Sequence, residues 1–97
     1  MTVSEAARGD LRHVARYYRR EAPAQVARFR AEYRYAVGRV REWPHLSSED
    51  RPNVRHRSVR SFPYNVFYAL DEDARVVTVT AVIHHRRDPA LARLRAP

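Results

Sequence analysis

Two short runs carry the side chains best suited to chemistry: Arg55-His56-Arg57 with Arg60 close behind, and His84-His85-Arg86-Arg87. A guanidinium offers a planar fork of N–H donors that grips phosphate or carboxylate. With a pKa above ~12, however, it is a very poor general base. Within these runs only the imidazoles of His56, His84 and His85 can titrate near neutrality. Neighbours on a strand point to opposite faces, so His84 and His85 diverge and cannot jointly chelate a metal. The chain has no cysteine and only two glycines, Gly9 and Gly38. That excludes a thiolate metal site, a disulfide framework and a Gly-rich phosphate loop. Neither a metal nor another cofactor is expected.

The elements that must position these runs follow from hydrophobic periodicity, which changes midway along the chain. Residues 4–20 read as an amphipathic helix: Ser4 as N-cap, Glu5 in the first turn, and Ala7, Leu11, Val14, Ala15 and Tyr18 at steps of three and four. Pro23 ends it and suits the first turn of a second helix striped by Val26, Phe29, Tyr33, Val37 and Val40 and closed by Trp43-Pro44. Together they make a helical hairpin over about 4–43. Residues 45–52 are polar and read as a connector. The period then falls to two, predicting strands at 53–61, 64–70 and 75–84, the middle one apolar on both faces. Asp71-Glu72-Asp73-Ala74 reads as a hairpin loop. Asp88 and Pro89 open a short C-terminal helix within the final segment, 85–97. The expectation is an α+β domain, 1–97, with the helical hairpin packed on an antiparallel sheet of three strands. A short strand at Met1-Thr2-Val3 would make four. Tyr17, Tyr18, Tyr33 and Tyr35 read as helix–sheet packing and Trp43 as a core plug. Leu46, Leu91 and Leu94 read as satellite packing or as anchors for a partner.

The chain has 97 residues, 44% of them hydrophobic, enough for one core. Nineteen basic residues, every one an arginine, face eleven acidic ones, giving +8 and a pI near 11.0. Such a balance points to an anionic partner. Residues 1–50 carry ten arginines and seven acids, and the helical arginines read as a solvated coat. Arg51 to Leu70 contains no acid at all, so Arg55, Arg57 and Arg60, with His84, Arg86 and Arg87 at the end of the third strand, read as a binding surface. The opening Met1-Thr2-Val3-Ser4-Glu5 has no leader-like pattern, and the longest apolar stretch falls far short of the ~20 residues of a membrane span. A cytoplasmic protein without a membrane partner is expected.

The ordered set Phe62-Pro63-Tyr64-Asn65-Val66-Phe67-Tyr68, the valine-rich run Val77 to Ile83, and His84-His85-Arg86-Arg87-Asp88-Pro89 resembles the ParE/RelE superfamily of type II toxins, most closely its ParE branch. Ser4 to Leu11 resembles the family's entry into its first helix, and Phe29 to Pro44 its second. The resemblance implies a plasmid-stabilisation-type toxin encoded beside an antitoxin that wraps and neutralises it in a hetero-oligomer. It also implies DNA gyrase as target in ParE-like members, or ribosome-dependent mRNA cleavage in RelE-like ones. Operator DNA is then contacted only through the antitoxin.

RNA cleavage requires an activated 2′-hydroxyl, a clamped phosphate and a protonated leaving oxygen. Where RelE-like toxins have paired lysines this chain has Arg55 and Arg57, and Asn65 replaces their central-strand arginine. No tyrosine follows His85. A nuclease here would depend on His56, His84 and His85 beside Arg55 and Arg57. The reading favoured is instead a non-enzymatic inhibitor, with Arg55, Arg57, Arg60, His84, Arg86, Arg87, Leu91 and Leu94 contacting target or antitoxin. A small nucleic-acid-binding module is allowed by the charge, but no helix-turn-helix spacing, RNP-like aromatic pair or zinc set supports it.

Overall fold

Helix α1 (Glu5–Glu21) begins where a cap is available: the Ser4 Oγ accepts the Ala7 N–H at 3.1 Å, as its type and position require. It buries Ala7 and Val14 and half-buries Leu11 and Tyr18. Pro23 stops it, and the Ala22 N–H closes the last turn on the Tyr18 carbonyl at 2.7 Å. Helix α2 (Gln25–Glu42) starts two residues later than expected, because Pro23 and Ala24 form a turn between the helices. Its buried stripe is Phe29, Ala36 and Val40.

The computed structural model describes residues 1–51 and 54–87. Beyond the helices it contains β1 (Thr2–Val3), β2 (Ser48–Arg51), β3 (Val54–Ser58), β4 (Tyr64–Asp71) and β5 (Val76–His84). They form one five-stranded sheet in the order β1-β5-β4-β3-β2. Two corrections follow. The sheet is mixed, since β1 runs parallel to β5 with Thr2 beside Thr78 and Val3 beside Val79. The polar stretch taken as a connector contains an edge strand, β2, antiparallel to β3. An edge strand without an apolar face leaves no periodic signal, because backbone pairing alone defines it. The predicted C-terminal helix, with Leu91 and Leu94, lies outside the described residues.

Strand β4 is buried on both sides, as its composition predicts. Tyr64, Val66, Tyr68 and Leu70 face the helices, joined by Val77, Val79 and Val82 of β5. Phe67, with Ala81 and Ile83, forms a separate buried group on the other face. The register gives β5 one extra residue: Phe67 pairs with Ala81 and Tyr68 with Val79, leaving Thr80 between. This bulge inverts the alternation, so that β5 turns Val77 and Val79 toward the helices before it, and Val82 and His84 after it.

Three hydrogen bonds lock the layers. The Tyr68 hydroxyl, on a fully buried side chain, donates to the Pro44 carbonyl at 2.6 Å and fastens the end of α2 to the sheet. The Asp10 carboxylate accepts the Val82 N–H at 2.9 Å, where β1 no longer covers the edge of β5. The Ser4 N–H donates to the Val79 carbonyl at 2.9 Å. Between the layers, Phe62 and Tyr64 meet Tyr18 and Phe29 mostly edge to face, with ring centroids 5.3–6.4 Å apart. Tyr33 joins this packing, but Tyr17 and Tyr35 are exposed, and Trp43, just past the end of α2, is 50% exposed rather than plugging the core. Leu46 is exposed as well.

Candidate functional site

Arg55 and Arg57 stand on one face of β3, as their spacing requires, in register with Tyr68 and Val66 on the helix side. Arg55 is largely enclosed. Its guanidinium donates to the carbonyls of His45 (3.3 Å) and Ser47 (3.0 Å) and to the Glu49 carboxylate (3.4 Å). It thereby fixes the path of the chain into β2. Arg60 makes a two-pronged bond with the Glu32 carboxylate at 2.6 and 3.0 Å, and its Cζ lies 4.5 Å from the Tyr35 ring centroid. The acid-free stretch of sequence is therefore not acid-free in space: α2 and β2 supply carboxylates to two of its three candidate arginines. Among the described residues Arg57, Arg86 and Arg87 form no ion pair, and the last two are exposed in the turn after β5.

The Glu32–Arg60 pair yields a pH prediction. The direct hydrogen bond from Arg60 holds the Glu32 carboxyl below the usual carboxylate range. The charges of Arg60 and Arg28 add to this, and desolvation opposes it. A carboxyl lowered in the folded state stabilises the fold above its unfolded pKa, and that contribution disappears as pH falls through the folded value. The pair's share of stability should therefore be lost below about pH 4. Arg60→Gln should narrow the gap between urea midpoints measured at pH 7 and pH 3. An unchanged gap would show that the pair contributes nothing.

The three histidines are not brought together. His56 pairs with Phe67 on the face away from the helices, their rings 5.4 Å apart. His84 pairs with Tyr64 on the helix side, rings 5.2 Å apart. His85 is exposed in the following turn, its N–H donating to the Pro63 carbonyl at 2.9 Å. Among the described residues no group of three or more histidines or acids is placed to hold a metal, and no helix is long and apolar enough to cross a membrane.

Two clefts escape the sequence-based reading. The first, about 460 Å³, runs between α1 and α2. Its apolar floor is formed by Leu11, Ala15, Tyr18, Val26, Phe29 and Tyr33, and its rim by Arg12, Arg16, Arg19, Arg30 and Arg34. Among the described residues no carboxylate lines it. Of the rim only Arg12 has an ion-pair partner among the described residues, Glu5 at 3.4 Å. The Tyr33 hydroxyl is buried without a hydrogen-bond partner, and burial raises its pKa. The available signal was the set Arg12, Arg16 and Arg19 flanking Leu11, Ala15 and Tyr18, which reads equally as a solvated coat. The second cleft lies between α1 and the end of β5 and includes His13, a histidine absent from the sequence-derived set.

A family model, the ParE toxin of the type II toxin-antitoxin system, parDE, matches residues 2–89. No curated relative matches the chain.

Proposed function

Because the chain belongs to the ParE toxin family of type II toxin–antitoxin systems, we propose that it is a cytoplasmic toxin that arrests growth by binding DNA gyrase, without chemistry of its own. One observation weighs against RNA cleavage by the histidines that the sequence singles out: His56 and His84 occupy opposite faces of the sheet. They cannot serve as acid and base on one phosphate. Arg55, which a nuclease would need as a clamp, is spent on the backbone around β2. Arg57, Arg86 and Arg87, which form no ion pair among the described residues, remain for the target with His84.

The cognate antitoxin needs a different surface, and the α1–α2 groove suits it. An amphipathic segment with apolar anchors and acidic flanks matches an apolar floor between two rows of arginine, and operator DNA is reached only through that partner. Expression of the toxin alone, with gyrase supercoiling and mRNA integrity followed in the same cells, tests the reading. Supercoiling should fall while mRNA stays whole. Fragmented mRNA beside normal supercoiling would overturn it.

A further inference from the structure

We propose that the cleft between α1 and the end of β5 is a phosphate-binding site. His13 and Arg16 enter it from α1, His84 from the last position of β5, and Arg87 from the turn beyond. Arg16 and Arg87 form no ion pair among the described residues. Among the described residues lining the cleft the one carboxylate is Asp10, which accepts the Val82 N–H at 2.9 Å, and the two guanidiniums outweigh its charge.

The His84 ring is oriented for donation. Its Nδ1 lies 3.1 Å from the Arg86 backbone nitrogen and accepts that N–H. A neutral ring accepting at Nδ1 carries its proton on Nε2, so His84 donates whether neutral or charged. Two guanidiniums and two imidazoles supply more N–H donors than the two oxygens of a carboxylate can use. A phosphate, with three or four oxygens, fits this set better. The ligand is thus the phosphate group of a nucleic-acid backbone or of a small free phosphate.

The groups around the two rings are Asp10, Arg16 and Tyr17 on α1, Tyr64 on β4, and Arg86 and Arg87 in the turn. Tyr64 is pushed up to about 12, chiefly by burial, and stays neutral at neutral pH.

The test is an NMR titration of the full chain with inorganic phosphate, with a hexathymidylate and with succinate, all at one neutral pH. Either phosphate probe should move the His13 and His84 ring signals at concentrations where succinate does not. Tighter binding of the hexathymidylate assigns the site to a nucleic-acid backbone, and tighter binding of inorganic phosphate to a small ligand. His13→Gln with Arg87→Gln, both exposed positions, should weaken binding at least tenfold while leaving thermal unfolding unchanged. Unmoved histidine signals, an equal response to succinate, or undiminished binding by the double variant would overturn the proposal. None of these outcomes depends on gyrase being the target.

Discussion

Reversing the groove rim with Arg19→Glu, Arg30→Glu and Arg34→Glu together should weaken antitoxin binding by about 100-fold. The three guanidiniums line one apolar channel and form no ion pair within the described chain, so their replacement costs the toxin little stability. Against an acidic partner each reversal turns attraction into repulsion. At an exposed rim this amounts to about 1 kcal/mol per site, or about 3 kcal/mol for three. The loss should appear largely in the association rate and shrink as salt rises, because rim charges act through steering. Titration of the purified toxin with the protein encoded beside it measures the change. An affinity within threefold of the parent would show that the antitoxin binds elsewhere.

The second large effect is on the fold. Tyr68→Ala should destabilise the chain by about 4 kcal/mol, the cost of emptying a large, fully buried aromatic site. A domain of this size has about 5–15 kcal/mol in total, so thermal unfolding should begin roughly 15–30 °C lower. Tyr68→Phe separates the hydroxyl from the ring. It keeps the packing against Val40, Leu70 and Val77 and strands only the Pro44 carbonyl, costing about 1–1.5 kcal/mol. Circular-dichroism melts of the two variants give both numbers. Equal losses would mean that the hydrogen bond, not the ring, holds the end of α2 on the sheet.

Those two sites differ in how plainly the sequence announces them. Tyr68 sits in a strand apolar on both faces, and such a run predicts a central strand without further information. Ser4 likewise declares the start of α1 through its type and the Glu5 that follows. What stayed hidden depended on distance along the chain. The acids that occupy Arg55 and Arg60 are Glu49 and Glu32, and no local count of charge pairs Arg60 with a residue on α2. Strand β1 has two residues and exists only because β5 offers its edge. The face on which His84 emerges is set by the extra residue at Thr80, which alternation in the sequence does not reveal. His13 carries no local signal either, since its cleft closes only when β5 is laid beside α1.

The order of the elements also bears on how the toxin is made. Both helices leave the ribosome before the surface that buries their apolar stripes, which comes from β4 and β5, the last of the described strands. The first strand waits for the same partner, since Val3 pairs with Val79. An isolated helical hairpin of this size gains little stability without tertiary packing, so a chain interrupted before about residue 84 has a hairpin with nothing to close on. Incomplete products thus lack the packed fold by topology alone. The helical groove proposed for the antitoxin is made ahead of the strands that hold it together, and it takes shape only when β5 is complete.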